Sequence, residues 1–170
     1  IVFSLIENST TPLVLDADAL NCVAKQPEIL LRKKAPIIIT PHPGEMSRLT
    51  GLATPLVNAE RERVALDFAQ KYGVVTVLKG AGTVIASPNG KVLVNPTGNS
   101  GMATGGSGDV LAGMTASILA QGASAFSSAA AAVYLHGLAG DIAAEKYGKI
   151  SMLPTDLINC IPLAYKRCGF

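Results

Sequence analysis

The run Asn99-Ser-Gly-Met-Ala-Thr-Gly-Gly-Ser-Gly-Asp109 leads straight into a long apolar stretch. Its glycines leave backbone N–H groups open to a ligand, because no Cβ stands in the way. Where such a loop becomes a helix, those amides and the positive end of the helix dipole together favour an anion, so the pattern points to a cradle for a phosphoryl group. Asp109 falls in the first helical turn. A carboxylate there can take a proton from a bound hydroxyl while the amides stabilise charge on the group being transferred. Read alone, the same segment also describes a flexible loop whose aspartate caps a helix.

Three further segments offer chemistry at the ends of apolar runs. Lys79-Gly-Ala-Gly-Thr83 directly follows Val74-Val-Thr-Val-Leu78, so Lys79 can approach phosphates as a point charge and Thr83 can add a hydroxyl. It is neither a Walker A sequence nor the dinucleotide Gly-x-Gly-x-x-Gly, and by itself it also describes a turn with a solvated lysine. Thr40-Pro-His-Pro-Gly-Glu45 is stiffened by two prolines and holds His42 at a sheet edge, a placement suited to ligand binding. Glu45 reads instead as an acid in the first turn of the next helix, where its charge is favourable. Asp16 and Asp18 either order Mg²⁺ through water or bond to loop amides, and the metal ligands stay open. His136, on an apolar helix, reads as a packed and hydrogen-bonded core histidine rather than a ligand.

The elements that must position these residues alternate. Pro12 to Asp18 and Ala35 to Thr40 read as buried parallel strands ending in polar residues at the carboxyl edge, with a helix from Asn21 to Lys34 between them. A second helix runs from about Asn58 to Tyr72 and stops at Gly73, and Val74 to Leu78 is a third strand. Thr83 to Ser87 and Lys91 to Asn95 read as a hairpin turning at Pro88-Asn89-Gly90. Helices follow at Asp109 to Gln121, Ala125 to Lys146 and Pro154 to Lys166, the last opened by Thr155-Asp156. The first residues, Ile1 to Glu7, read as the middle or end of a helix. This order predicts a doubly wound α/β domain: a mostly parallel sheet, an antiparallel edge, helices on both faces, and ligands outside the carboxyl ends of the strands.

Composition excludes several classes of function. A chain of 170 residues, 49% hydrophobic and 15% charged, describes one globular domain with a sizeable core. Its 14 basic and 12 acidic residues are interspersed, so no stripe resembles a nucleic-acid footprint. No apolar run approaches the roughly 20 residues needed to cross a bilayer, and no secretory signal is evident. Cys22, Cys160 and Cys168 show no Cys-x-x-Cys spacing, which fits a reducing cytoplasm. The low charge and the many small residues suggest surface buried between subunits, hence a homo-oligomer.

Four ordered motifs now combine: Leu15-Asp-Ala-Asp-Ala-Leu-Asn21, Thr40-Pro-His-Pro-Gly-Glu45, Leu78-Lys-Gly-Ala-Gly-Thr83 and Gly101-Met-Ala-Thr-Gly-Gly-Ser-Gly-Asp109, followed by Tyr134-Leu-His-Gly-Leu-Ala-Gly-Asp141 and Thr155-Asp-Leu-Ile158. Together they resemble the NAD(P)H-hydrate dehydratase family over nearly the whole chain. The resemblance implies a ribokinase-like fold, repair of the S epimer of hydrated NADH or NADPH, ADP or ATP as phosphoryl donor, Mg²⁺ as helper, and a homo-oligomer, by family a tetramer. It further implies that Lys79, Gly80, Ala81, Gly82, Thr83 and Gly108 hold the adenine nucleotide, that His42 and Asp109 touch the hydrated nicotinamide, and that Asp109 is the catalytic base.

Two departures stand out. Asn99-Ser100-Gly101 replaces the family's usual Asn-Pro-Gly, and Ser does not fix φ as Pro does, so a looser loop entry is expected. The family's complete domain carries a further N-terminal portion, so residues 1–170 are expected to be the C-terminal part of a single nucleotide-binding catalytic domain, cut from a larger or bifunctional chain. Two other functions fit the same loop: a small-molecule kinase acting on a sugar, vitamin or thiazole alcohol, and a fragment that binds nucleotide without turning over.

Overall fold

A computed structural model describes residues 1–170. Its centre is a five-stranded sheet in chain order: β1 (Leu13–Leu15), β2 (Ile37–Ile39), β3 (Val75–Leu78), β4 (Val84–Ala86) and β5 (Val92–Val94). β1, β2 and β3 run parallel, while β4 and β5 return antiparallel. The expected hairpin is present, and its turn needs Gly90 at φ 92°, a conformation costly for residues with a Cβ.

The inner strands are apolar on both sides because both sides are covered. Leu15, Ile37, Ile39, Leu78, Val84 and Ala86 face one core with the helices α1 (Val2–Asn8), α2 (Asp18–Val23), α3 (Pro43–Thr50), α4 (Thr54–Ala59) and α5 (Arg61–Tyr72). Ile38, Val75, Val77 and Ile85 face the other, under α6 (Ser107–Ala120), α7 (Ala125–Tyr147) and α8 (Pro154–Arg167). α7 presents buried Ala129, Ala132, Ala139, Gly140 and Ala143, small residues that let its backbone lie close to the sheet and to its neighbours.

Two predicted helices are broken. The stretch from Asn21 to Lys34 divides into α2 and a 3₁₀ turn, Pro27–Arg32. Pro27 offers no N–H and disfavours helical geometry in the residue before it; Gln26 accordingly sits at φ −156°, ψ 75°. The helix from Asn58 to Tyr72 is interrupted at Glu60, φ −126° and ψ 41°, which separates α4 from α5. The strands are also shorter than the apolar runs suggested, three or four residues each. α8 begins at Pro154, with the Asp156 carboxylate accepting from the Leu153 N–H at 2.9 Å, so Asp156 supplies the expected capping signal. No helix is long and apolar enough to cross a membrane.

Candidate active site

Because β1, β2 and β3 are parallel, their carboxyl ends share one edge, where the chain leaves at Asp16, Thr40 and Lys79. The antiparallel β4 and β5 bring Thr83 and Asn95 to the same edge. Above it lies a cavity of about 790 Å³, and His42, Lys79, Gly80, Ala81, Gly82, Thr83, Gly108 and Asp109 all line it. Residues spread over sixty-odd positions of sequence are thus gathered by the topology of the sheet.

The glycine loop is pinned from behind. Thr97 Oγ1 donates to the Tyr134 carbonyl at 2.9 Å, and Asn95 Nδ2 donates to Thr97 O at 2.9 Å. Asp141 holds two loop donors, accepting from the Gly98 N–H and from Asn99 Nδ2, both at 2.9 Å. The loop approaches α7 at two glycines: a Cβ on Gly137 would lie 2.2 Å from Thr97 Oγ1, and one on Gly140 would lie 2.3 Å from Met102 Sδ. Asn99 Oδ1 also accepts from the Gly101 N–H at 3.0 Å, capping the turn Ser100–Met102. The loop's entry is therefore held by the Asn99 side chain.

Gly106, at φ 98°, then turns the chain into α6. The N–H groups of Gly105, Gly106, Gly108 and Asp109 donate to no protein acceptor, and neither do those of Gly80, Ala81 and Gly82. These are two sets of free amides on one cavity, the first at a helix N-terminus. Asp109 is exposed in the first turn of α6 and its carboxylate accepts no hydrogen bond from the protein, leaving it free for a substrate hydroxyl.

The second amide set is shaped by a residue the sequence reading missed. Arg61 Nη2 donates to the Leu78 carbonyl at 2.8 Å, and a Cβ on Gly80 would lie 2.7 Å from Arg61 Nη1. Gly80 is thus required by a guanidinium beneath the loop as well as by its own φ of 147°. Thr83 Oγ1 donates to the Gly80 carbonyl at 3.0 Å and closes the turn.

Lys79, expected to approach phosphates as a point charge, lines the cavity with its ammonium paired to carboxylates. Its Nζ lies 2.6 Å from Asp16 Oδ1 and 3.8 Å from Glu45 Oε2, with the lysine side chain 19% exposed. Of the two alternatives open for Asp16, the bond to a loop amide is present, from the Ala17 N–H at 2.9 Å, and the same carboxylate pairs with Lys79. Asp18 lies in the first turn of α2, bonded to Asn21 Nδ2, away from the cavity.

His42 has a structural duty beside its place in the wall. Its Nδ1 accepts from the Gly44 and Glu45 N–H groups at 3.0 and 3.2 Å, and Glu45 Oε2 accepts from the His42 N–H at 2.7 Å, so the pair caps α3 reciprocally. With Nδ1 accepting, a neutral His42 carries its proton on Nε2, 3.5 Å from Glu45 Oε1. Glu45 is where it was expected, in a first helical turn, and it additionally reaches Lys79.

His136 is packed and hydrogen-bonded as expected, and it also forms part of the cavity wall. Its pKa is pushed down to about 4, first by burial and further by the positive charge of Lys79, against an opposing hydrogen bond to the Ser107 carbonyl. The ring is neutral at physiological pH.

No group of three or more His, Cys, Asp or Glu side chains gathers within metal-binding reach. Around the cavity the carboxylates of Asp16, Glu45 and Asp109 outnumber the single ammonium of Lys79. This wall suits Mg²⁺ carried in on phosphate oxygens and completed by water, with at most one or two protein carboxylates.

Comparison with known proteins identifies the family and the fold. A family model described as NAD(P)H-hydrate dehydratase matches residues 2–163. The bifunctional NAD(P)H-hydrate repair enzyme of Moorella thermoacetica is 45% identical over 98% of this chain and 32% of its own length. The ADP/ATP-dependent NAD(P)H-hydrate dehydratase from Bacillus subtilis, co-crystallised with ATP and Mg²⁺, superposes with a TM-score of 0.86 at 36% identity, over 95% of this chain and 57% of that one. A ribokinase-like superfamily protein from Enterococcus faecalis gives 0.81 at 30% identity, over 98% of this chain and 57% of that one. The chain therefore has the ribokinase-like fold, and it spans about a third of the bifunctional relative and somewhat over half of the solved ones.

Proposed function

Because the chain belongs to the NAD(P)H-hydrate dehydratase family, we propose that its cavity serves the nucleotide-dependent dehydration of hydrated NADH or NADPH. The observation that carries this reading is that two sets of free backbone amides line the same cavity as the unbonded carboxylate of Asp109. Lys79 to Thr83 and Gly108 would hold the phosphates of ADP or ATP, and His42 and Asp109 would contact the hydrated nicotinamide. Mg²⁺ bound to the phosphates would supply charge neutralisation, with Asp109 the unpaired carboxylate in the cavity wall available to hold it.

Asp109 takes the proton of the ring hydroxyl as its oxygen attacks the terminal phosphoryl group, and the α6 amides stabilise the charge spread over the phosphoryl oxygens. Hydroxide, a poor leaving group, becomes phosphate, a good one. The lone pair of the ring nitrogen expels phosphate, and loss of a proton from the adjacent ring carbon restores the dihydropyridine. The outcome is loss of the elements of water from the substrate, with the nucleotide's terminal phosphoryl group released as inorganic phosphate that carries the former ring hydroxyl oxygen.

The test is incubation of the protein with the hydrated dinucleotide, Mg²⁺ and either ADP or ATP. Recovery of dihydronicotinamide absorbance, matched by phosphate release, is expected. A stable phosphorylated product without recovery would identify a small-molecule kinase, and a nucleotide-induced rise in Tm without turnover a binding unit. A reducing cytoplasmic location belongs to the same proposal, supported by three free cysteines. So does homo-oligomerisation, supported by the half-exposed Leu93 and Val94 on the outer strand β5.

A further inference from the structure

Asp16 and Lys79 come from strands that are not neighbours. Asp16 follows β1 and Lys79 follows β3, and β2 runs between them. Their side chains nevertheless meet at 2.6 Å, 12% and 19% exposed, over the end of β2. The backbone of Lys79 is tied to that end as well, its N–H donating to the Pro41 carbonyl at 2.8 Å.

The chain takes a strained path to put Asp16 there. Ala17, at φ 49° and ψ −121°, is the one residue other than glycine with a positive φ. Such a conformation persists only where the surroundings over-determine it. The Asp16 carboxylate accepts the Ala17 N–H, and the Ala17 carbonyl accepts from the Leu20 and Asn21 amides at the start of α2. The Asp16–Lys79 pair then lies against the first turn of α6: a Cβ on Gly108 would stand 3.4 Å from Lys79 Nζ and 3.7 Å from Asp16 Oδ2. Gly108 is the residue before Asp109, so the ammonium sits beside the free amides.

We propose that Asp16 is a positioning residue that acts through Lys79, holding its ammonium at the N-terminus of α6 where the transferred phosphoryl group is received. The inference rests on the reading of this cavity as a phosphoryl-transfer site. A free lysine stem samples many rotamers, and transferring groups must be aligned closely, so a carboxylate anchor selects the one placement that serves the reaction. The same carboxylate competes with phosphate for the ammonium, so it lowers ground-state affinity while raising the rate.

The test combines Asp16→Ala and Lys79→Met singly and together, with kcat from the dehydration assay and the ADP Kd by calorimetry. Asp16→Ala is expected to lower kcat by about 10- to 100-fold, the cost of a misplaced catalytic group, while binding ADP several-fold more tightly. In the Lys79→Met protein, the same substitution is expected to change neither kcat nor Kd. Asp16→Asn, which keeps an oxygen acceptor for Nζ, is expected to retain more activity than Asp16→Ala. Independent losses from the two substitutions, weaker ADP binding together with lower kcat, or no effect of Asp16→Ala would each overturn the proposal. If the unsubstituted protein binds ADP without dehydrating the substrate, the functional reading fails instead, and the coupling of Asp16 to Lys79 is still decided by the Kd values.

Discussion

His136 donates from Nε2 to the Ser107 carbonyl at 2.9 Å, joining the middle of α7 to the first residue of α6. The bond fixes the helix whose N-terminal amides face the cavity against the helix that pins the glycine loop. It requires a proton on Nε2, which a neutral ring supplies, and burial resists a second proton on Nδ1.

The first prediction concerns pH. In the unfolded chain His136 titrates near 6.5, and in the folded protein near 4. The folded state therefore binds fewer protons between these values, and stability is complete above about pH 6.5 and lost as pH falls toward 4. At ~1.4 kcal/mol per pH unit the full effect is about 3 kcal/mol, of which about 2 is expected by ~pH 5. Urea unfolding across this range measures it. In His136→Gln, whose amide can still donate to Ser107, this acid sensitivity should largely disappear.

Two glycines in neighbouring helices should respond in opposite directions to the same substitution. Gly113 in α6 has open space where a Cβ would go, so Gly113→Ala should stabilise by about 0.5–1 kcal/mol through helix propensity. At Gly137 the same gain is outweighed, because the Cβ would lie 2.8 Å from the backbone carbon of Thr97. Overpacking of this kind costs about 1–3 kcal/mol. Gly137→Ala should therefore lower Tm and, by lifting the glycine loop, weaken ADP binding.

Arg61→Met removes the donor that holds the Leu78 carbonyl beneath the second amide set. A hydrogen bond from a charged donor contributes about 1.5–3 kcal/mol. The expected result is roughly tenfold weaker ADP binding by calorimetry, with the affinity for hydrated dinucleotide much less affected. Equal weakening of both ligands would remove Arg61 from any specific role at the nucleotide loop.

Asp109→Asn should retain the nucleotide-induced rise in Tm but lose about 10²–10⁴ in kcat, the usual contribution of a positioned acid or base. The two measurements together separate its role as base from any role in binding. Near-normal turnover would exclude Asp109 as the base.

Much of this architecture could be read from residue order. Apolar runs without alternation marked strands covered on both faces, Pro88-Asn89-Gly90 marked the hairpin, and the glycines before Asp109 marked a loop opening onto a helix. These are local signals, written in φ restrictions, side-chain volume and periodicity, and each survives in a single stretch of chain. The break at Pro27 was also locally encoded, though periodicity obscured it.

The pairings belong to another level. Nothing near Lys79 in sequence announces that Asp16, sixty-three residues earlier, will neutralise it, or that Arg61 will grip its loop. Likewise His42 looked like a ligand residue because its turn is stiff, whereas folding also commits its Nδ1 to capping α3. The residue types and their order were sufficient to specify an anion cradle with an acid beside it. Which charges are spent on one another depends on strands brought together across the sheet, because ion pairs and hydrogen bonds are decided by distances of a few ångströms that sequence separation does not encode.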